Sequence, residues 1–335
     1  KNNRFSPRIA KVGLTTVTDG DGNVTTIERD ADGNPTAIVS PYGQRTSFEL
    51  DDNGYLKKIT NPANEEYQYS YSADGLLSQF TDPRGNIHKY SYDDLGRLIK
   101  DEDPAGGYTA LEHTTTEKGY KVTKATTEGN TRTYLTEKLS TGGQQMTNSL
   151  CCGNPIKTIV GTDGSAKITY PDGTVAYTLK GPDPRFSMQL PIINYGTITT
   201  PSGVVQTMTW TRTVTLSDKD DPLSLLTQTD KVTVNGKTTT TSFDASTKKT
   251  TTTSPAGRVA TTTMDDQGRL TKTEIPEIAT VSIDYDTQGR LTTLTVGTDT
   301  DARVTRFSYN SEGYLDTVTN PLSQNAIAKF IIFAI

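Results

Sequence analysis

Turn residues recur along the first third of this chain with a constant step of 21 residues. Xaa-Pro turns form one series and glycines a second, and pairs of large side chains two residues apart repeat in phase with both. A fixed period of this length predicts one small supersecondary unit stacked many times, because each unit buries its apolar face only against its neighbours. The three series are Ser40-Pro41, Asn61-Pro62, Asp82-Pro83 and Asp103-Pro104; Gly33, Gly54, Gly75 and Gly96; and Phe48/Leu50, Tyr69/Tyr71 and Tyr90/Tyr92.

The best-formed unit predicts a β-hairpin. Tyr90 and Tyr92 lie two residues apart and therefore share one face of a strand. The loop at residues 93–96 supplies an aspartate that bonds the local backbone and a glycine that accepts positive φ, which favours a short hairpin loop with a bulge. The return strand starts near Leu98 and ends before Pro104, since proline cannot donate to a strand ladder. An isolated hairpin is marginal in water, so we expect tandem antiparallel hairpins of about 21 residues to form a curled all-β ribbon or solenoid.

The same pattern returns near the other end of the chain, where the step from Gly268 to Gly289 is again 21 residues. We therefore expect a lead-in over residues 1–18 and regular repeats over residues 19–108. Regular repeats with a truncated end are expected over residues 244–335. Between the two regular blocks, residues 109–243 lose the step and are predicted to form longer, degenerate hairpins of the same ribbon. A separate inserted β domain is the alternative for that segment.

Three turn motifs support hairpins in the irregular segment. Pro171-Asp172-Gly173 and Pro201-Ser202-Gly203 each separate two runs rich in β-branched residues. Asn235-Gly236 separates a valine-rich run from a threonine-rich run, and this dipeptide favours the tight turns that match the twist of a hairpin. We expect a strand on each side of all three turns.

The repeat resembles the rearrangement-hotspot (Rhs) or YD-repeat family, which includes bacterial polymorphic toxins, shell components of insecticidal toxin complexes and teneurins. The resemblance covers about residues 19–108 and 244–322. It implies a hollow shell of coiled hairpins, which in bacterial members encloses a toxic C-terminal domain and in teneurins belongs to an adhesion ectodomain. The signature residues are Tyr69, Tyr71, Gly75, Pro83, Tyr90, Tyr92, Asp93, Gly96, Arg97, Leu98, Pro104, Tyr285, Asp286, Gly289, Arg290 and Leu291.

The sequence also departs from the family pattern. Family shells carry more repeats and a glycine-rich core segment, and bacterial members use aspartates of that segment to release the toxin. No aspartate of this chain matches such a site, so the resemblance implies no catalytic residue. We expect the chain to be a fragment of a longer protein, with a C-terminal cargo domain or neighbouring repeats as its partners.

Composition narrows the function classes. Hydrophobic residues make up 32% of the chain, and 16 tyrosines outnumber 8 phenylalanines, which suits a strand face whose phenol ends stay wet. The net charge of −5 offers no basic surface for nucleic acid. No apolar run reaches the roughly 18–20 residues of a membrane-spanning helix.

Few residues are candidates for catalysis, redox chemistry or metal binding. The two cysteines, Cys151 and Cys152, are adjacent, so they form either a vicinal disulfide or a pair of thiols, with a redox switch or an intermolecular link as the alternative. His88 and His113 are the two histidines. Two cysteine ligands cannot close a tetrahedral zinc site, and these two are the only histidines that the chain could add. We interpret both histidines as strand residues.

Acidic pairs recur at Asp51/Asp52, Asp93/Asp94 and Asp265/Asp266. Because each pair occupies the same turn position, we interpret them as turn residues; weak calcium or surface binding and glycoside hydrolysis are the alternatives. The segment 19–23, which resembles a calcium loop but lacks its terminal glutamate, is interpreted as another hairpin turn. We predict no catalytic residue, no cofactor and no metal.

The leading hypothesis is a non-catalytic wall of a shell that encloses or presents an effector domain in a secreted or surface bacterial protein. A cell-surface adhesion or glycan- or protein-binding module is the alternative, and a glycoside-active β-solenoid enzyme is a weaker one. Exposed end strands also predict self-association.

Overall fold

The protein is described by a computed structural model that covers residues 13–150 and 153–327. These residues form 28 β-strands and one short 3-10 helix, Asp299–Asp301. The strands of the first regular block are β1 Thr16–Thr18, β2 Val24–Arg29, β3 Pro35–Val39, β4 Arg45–Leu50, β5 Leu56–Thr60, β6 Glu66–Tyr71, β7 Leu77–Thr81, β8 Ile87–Tyr92 and β9 Leu98–Glu102. The strands that follow are β10 Tyr108–Thr116, β11 Gly119–Thr126, β12 Thr131–Lys138, β13 Gln144–Leu150, β14 Ile156–Val160, β15 Ser165–Thr169, β16 Val175–Asp183, β17 Ser187–Thr199, β18 Val205–Leu216, β19 Leu225–Val234 and β20 Lys237–Asp244. The last strands are β21 Lys249–Thr253, β22 Val259–Met264, β23 Leu270–Glu274, β24 Val281–Tyr285, β25 Leu291–Val296, β26 Arg303–Tyr309, β27 Leu315–Thr319 and β28 Asn325–Ile327.

Antiparallel pairing of strands that follow one another in sequence builds the sheet. In the best-formed repeat, β7 pairs with β8 through Phe80 and His88, and β8 pairs with β9 through Tyr90 and Asp101. A register shift beside Tyr92 marks the bulge that the glycine loop was expected to produce. The predicted all-β architecture of tandem hairpins is therefore confirmed.

The turns that join the strands lie alternately at the two ends of the strands and so form two opposite edges of the sheet. We call the edge that carries the turns 19–23, 40–44, 61–65, 82–86 and 103–107 the proline edge. The opposite edge, which we call the arginine edge, carries the turns 30–34, 51–55, 72–76, 93–97, 265–269, 286–290 and 310–314.

The two faces of the regular repeats differ in burial. In β6 and β8, tyrosines and His88 are half-buried, whereas the residues between them are exposed. Ala37 and Ile192 are the buried hydrophobic residues of the described chain, and no large side chain there is fully buried. The regular repeats thus form a single-layer wall, in which side chains of neighbouring strands, rather than a second layer, cover the aromatic residues.

The contacts divide the chain into two units. One comprises Lys1–Ala110, Ile283–Thr295 and Ala302–Ile335, and the other comprises Leu111–Ser282 and Val296–Asp301. The first unit therefore brings the first and last repeats together. The segment boundaries drawn from the sequence stay predictions.

The irregular segment contains the longest strands. The turns at residues 171–173, 201–203 and 235–236 each join two strands, as their sequences indicated. Strand β17 has 13 residues and β18 has 12, compared with five or six in the strands around Tyr69 and Tyr90. These two strands pair only from Tyr195 with Thr209 to Thr199 with Val205, so their outer halves diverge toward the arginine edge.

Candidate functional site

The turn of the repeat is held by its first side chain. Asp93 Oδ1 accepts hydrogen bonds from the backbone N–H groups of Leu95 and Arg97, both at 3.0 Å. Gly96 follows with a φ of 74°, a left-handed conformation that glycine adopts without a steric penalty. The same side-chain arrangement recurs at Asp19, Asp30, Asp51, Asn61, Asp82, Asp103, Asp265, Asp286, Asn310 and Asn320.

Arginine completes several turns on the arginine edge. Arg97 Nε donates to Asp93 Oδ2 at 2.7 Å, and Arg290 bonds Asp286 in the same way. The hydrogen bond from Arg97, followed by those from the backbone, holds the pKa of Asp93 below its usual value. The first aspartate of the Asp93/Asp94 pair is therefore engaged within its own turn. Leu98 and Leu291 begin the strands that follow these turns.

The tyrosine face is a continuous row of rings. Tyr69 lies 5.4 Å from Phe80 between ring centroids, and Phe80 lies 5.6 Å from His88. Burial raises the pKa values of Tyr69 and Tyr90. His88 thus belongs to the aromatic face, and no base–nucleophile pair forms around it in these contacts.

A repeated tether fixes the second tyrosine of each pair. The hydroxyl of Tyr71 donates to the carbonyl of Leu56 at 2.9 Å, and that of Tyr92 donates to Leu77 at 2.8 Å. Each bond reaches the first residue of an earlier strand on the same face. The phenol therefore links successive hairpins, which explains the preference for tyrosine over phenylalanine at this position.

Within the first unit, turns of the first and last blocks touch. The Asn23 side chain donates to the carbonyl of Gln288 at 3.1 Å, and the Gln44 side chain donates to that of Glu312 at 2.5 Å. The Arg290 guanidinium lies 5.3 Å from the Tyr42 ring. The proline edge of the first block thus rests on the arginine edge of the last.

A cleft of about 440 Å³ opens beside this contact. Its lining includes Tyr42, Arg45, Asn61, Asn64 and Glu312. These side chains supply an aromatic ring, amides, a cation and an anion, which is a set suited to a polar organic ligand.

A cluster of buried charges holds the diverging hairpins of the second unit. The Arg212 guanidinium bonds Asp183 at 2.9 Å and Asp230 at 2.7 Å, and the side chain of Asp183 is 0% exposed. The Trp210 indole N–H donates to Asp230 at 2.9 Å, and Gln228 donates to the same carboxylate. The cluster therefore ties β16 to β18 and β19.

Electrostatics keep this cluster ionised. Burial by itself raises the pKa of Asp183, but the backbone N–H groups of Arg185 and Phe186 and the Arg212 side chain outweigh it and lower the pKa. The same balance, with Arg212 as the main partner, lowers the pKa of Asp230. The sequence does not reveal the cluster because its members lie far apart in the chain; the sole tryptophan, at 210, is the one available clue.

The other residues singled out in the sequence form no catalytic or metal-binding group among the described residues. His113 stacks on Tyr120 at 5.4 Å between ring centroids. In the described residues, no group of three or more His, Cys, Asp or Glu side chains is arranged to hold a metal ion. Among these residues, no helix has the length and apolar character needed to cross a membrane. Cys151 and Cys152, predicted as a candidate disulfide, lie outside the described residues.

Gly75, Pro83, Pro104, Tyr285 and Gly289 complete the placement of the repeat signature. Gly75 and Gly289 occupy the left-handed position of arginine-edge turns, with φ values of 77° and 77°. Pro83 and Pro104 follow the first residue of proline-edge turns, and Tyr285 ends β24.

Comparisons with known proteins agree with this architecture. The teneurin YD-shell family model matches residues 5–331, a range that includes the segment without the 21-residue step. No curated protein sequence matches the chain.

Solved structures of toxin complexes show remote likeness. A TccC3 mutant form of the Photorhabdus luminescens Tc holotoxin pore is 12% identical with a TM-score of 0.41, over 91% of this chain and 22% of that one. TcdB2-TccC3 without its hypervariable C-terminal region is 12% identical with a TM-score of 0.33, over 89% and 20%. This chain thus spans about one fifth of the length of these proteins. Because the family model covers nearly every residue, the chain belongs to the teneurin YD-shell family.

Proposed function

We propose that this chain is a non-catalytic wall segment of a shell that encloses or presents an effector domain of a secreted or cell-surface bacterial protein. Membership of the YD-shell family supports the structural role. The cargo, the bacterial source and the extracellular location belong to the proposal, as does the absence of an enzymatic activity.

The single-layer construction of the regular repeats carries this proposal. Tyr69 and Tyr90 are half-buried on one face, while Ser70 and Ser91 are exposed on the other. A contiguous aromatic face is a surface against which another polypeptide can pack. A polypeptide held against the aromatic face would be shielded from proteases by the sheet itself.

The test begins with the complete reading frame that contains this chain, expressed as the full product. Any further domain should resist protease in the intact protein. Tyr69→Asp combined with Tyr90→Asp should expose that domain to protease. The two charges would then lie on the aromatic face and disfavour the packing of the domain against it. Ser70→Asp combined with Ser91→Asp is the matched control on the opposite face and should leave protection unchanged. Equal protease sensitivity of the domain in all three proteins would rule out enclosure.

A second candidate function is ligand binding by the cleft beside Tyr42 and Asn61, which supports the adhesion hypothesis. An aromatic ring and side-chain amides together suit the apolar face and hydroxyls of a saccharide. A glycan array probed with the 335-residue chain tests this function. Binding that is lost in Asn64→Ala and retained in Asn53→Ala, an asparagine of an arginine-edge turn, would support it. An array without a reproducible hit would remove it.

A further inference from the structure

The outer half of β18 has one side without a strand partner. Strand β17 pairs with β18 only as far as Tyr195 with Thr209. On its other side, β18 pairs with β19 from Met208 to Leu216. Beyond Thr209, β18 is therefore paired on one side only. We call the unpaired side of residues 211–216 the β18 edge.

Alternate residues of β18 direct their backbone groups to this edge. Thr207 uses its backbone groups on the β19 side, where its N–H donates to the Asn235 side chain at 2.8 Å and its carbonyl accepts from the Asn235 N–H at 3.0 Å. Backbone groups alternate between the two sides of a strand, so those of Arg212, Val214 and Leu216 face away from β19. The N–H groups of these three residues have no hydrogen-bond partner among the described residues.

The β18 edge lies inside the sheet. The turn 200–204 joins β17 directly to β18, and the sheet continues through β16 on one side and β19 on the other. Because strands of this sheet pair with their neighbours in sequence, further repeats of a longer chain would extend the sheet beyond β1 or β28. Such repeats would not enter between β17 and β18.

The two diverging strands differ in how their edges are protected. β17 carries Pro191, which has no N–H to donate, and a bulge at Asn194. Prolines and bulges are devices by which proteins block the pairing of a strand edge. Residues 211–215 contain no proline, and their register with β19 is regular. An added strand would therefore pair with β18 rather than with the outer half of β17.

Side chains hold the tip of the β16–β17 hairpin on one face of β18. Asp183, at the end of β16, bonds the Arg212 guanidinium at 2.9 Å. Arg185, in the turn that follows, donates to Gln228 of β19 at 3.3 Å. Both contacts are made by side chains, so they fix the tip without using the backbone groups of the β18 edge.

The exposed face of the β18 edge favours particular side chains on an added strand. This face carries a threonine at every second residue, Thr211, Thr213 and Thr215. On the same face, Thr229 of β19 lies opposite Thr213 and shares a hydrogen bond with Ser242 of β20, at 3.1 Å between hydroxyl oxygens. Cross-strand hydroxyl pairs stabilise a sheet. Threonine or serine is therefore favoured opposite the exposed threonines.

Acidic side chains lie where the β18 edge ends. The loop 217–224 contains Asp218, Asp220 and Asp221, and its one basic residue, Lys219, pairs with Asp220. Asp218 and Asp221 each accept one backbone N–H of the loop, at 2.9 Å in both cases. A strand antiparallel to β18 would begin at this loop. Lysine or arginine near its N-terminus would complement these two carboxylates.

We propose that the β18 edge binds an extended segment of a separate polypeptide, which adds one antiparallel strand between β17 and β18. The segment would carry threonine or serine at alternate residues and lysine or arginine near its N-terminus. Its backbone would pair with Arg212, Val214 and Leu216, so that main-chain hydrogen bonds supply the affinity. A gap between two strands of one sheet admits a single strand, which favours an extended segment over a second copy of this chain. The proposal does not rest on cargo enclosure.

The synthetic peptide fluorescein-Lys-Lys-Thr-Val-Thr-Val-Thr probes this edge. With its threonines opposite Thr215, Thr213 and Thr211, the N–H groups of its two valines face β18. Fluorescence anisotropy should show saturable binding to the 335-residue chain. N-methylation of both valines should weaken binding by about fivefold to tenfold for each lost hydrogen bond. N-methylation of the first two threonines, whose N–H groups face away from β18, is the matched control and should leave binding unchanged.

Two outcomes of the peptide experiment would overturn the proposal. One is the absence of saturable binding. The other is equal weakening by the two modifications, because binding would then not depend on the backbone groups that face β18.

The acidic loop supplies a test on the protein side. Asp218→Asn combined with Asp221→Asn keeps an oxygen acceptor at each position but removes both charges, and should weaken binding of the same peptide by about twofold to fivefold. Asp52→Asn combined with Asp94→Asn, at exposed positions of arginine-edge turns, is the matched control and should bind as the unsubstituted chain does. Equal affinity of all three proteins would overturn the choice of a partner that is basic at this end.

Hydrogen exchange followed by nuclear magnetic resonance locates the bound strand. The amides of Val214 and Leu216 should exchange rapidly in the free chain and slowly in the presence of the peptide. Those of Thr213 and Thr215, which face β19, should exchange slowly in both. Slow exchange of Val214 and Leu216 in the complete product of the reading frame, without peptide, would overturn the proposal, because a segment of the same protein would then occupy the edge.

Discussion

The regular repeats and the diverging hairpins β16–β19 are stabilised in different ways. In the repeats, each turn carries its own side-chain cap, and each tyrosine tether adds a small increment that recurs every 21 residues. In the long hairpins, strand pairing is interrupted between β17 and β18, and one cluster around Arg212 joins the elements. The comparison indicates that a repeating wall tolerates local loss, whereas the irregular hairpins depend on a few buried groups.

Removing Arg212 should produce the largest effect. Arg212→Met leaves Asp183 and Asp230 buried without their shared cation, which typically costs about 3–5 kcal/mol in the free energy of unfolding. Hydrogen exchange measured by mass spectrometry should accelerate in β16–β19 and remain unchanged in β5–β9.

Arg45→Met is the matched control for this variant. It removes an arginine paired with Glu28, but both side chains are largely exposed, at 48% and 41%. The expected cost is about 0–1 kcal/mol. Equal acceleration of exchange by the two variants would contradict the asymmetry between the regions.

A glycine substitution should have the next largest effect. Gly75→Ala places a methyl group against the Tyr55 hydroxyl at a φ of 77°, which combines backbone strain with overpacking and should cost about 2–4 kcal/mol. Gly85→Ala has a similar φ of 82° but open space around the added atom, so it should cost only about 1–2 kcal/mol. Urea unfolding of the two variants measures the difference, and equal midpoints would show that Tyr55 simply moves.

Alkaline pH should weaken several repeats at once. Burial raises the pKa values of Tyr69, Tyr71, Tyr90 and Tyr92 above the ordinary value of 10.0. A raised pKa means that this stability is complete below the ordinary value and is lost as the pH rises through the folded-state value. Tyrosinate absorbance should therefore rise late and together with loss of the near-ultraviolet circular dichroism signal. Early ionisation of these tyrosines without loss of structure would show that their hydroxyl groups are exposed to water.

A single tether should contribute less. Tyr92→Phe removes the 2.8 Å bond to the Leu77 carbonyl and should lower the free energy of unfolding by about 1 kcal/mol. Tyr90→Phe is the control, because Tyr90 is half-buried on the same face and the tethers start from the second tyrosine of each pair. Indistinguishable unfolding curves for the two variants would mean that the tether has no net value.

The smallest effect should be stabilising. Glu277 has a φ of 67°, a conformation that disfavours a residue with a Cβ. Glu277→Gly should raise the free energy of unfolding by about 0.5–1 kcal/mol, since relief of strain exceeds the added chain entropy. The thermal midpoint measures this change, and a lower midpoint would show that the glutamate side chain stabilises its turn.

The sequence by itself determined the hairpin, the turn chemistry and the tyrosine face. These features are local: Asp93 and Gly96 lie within one turn, and Tyr90 and Tyr92 share a face through the two-residue period of a strand. The family resemblance rested on the same residues and was confirmed over a longer range than the repeats alone indicated.

Only the tertiary structure decided which distant turns meet and which charges are buried. Asn23 reaches Gln288 and Arg212 reaches Asp183 because neighbouring hairpins place them together, and no period or spacing in the sequence encodes those distances. Local hydrogen bonding repeats with the sequence, whereas long-range contact depends on the accumulated geometry of every hairpin between the two residues.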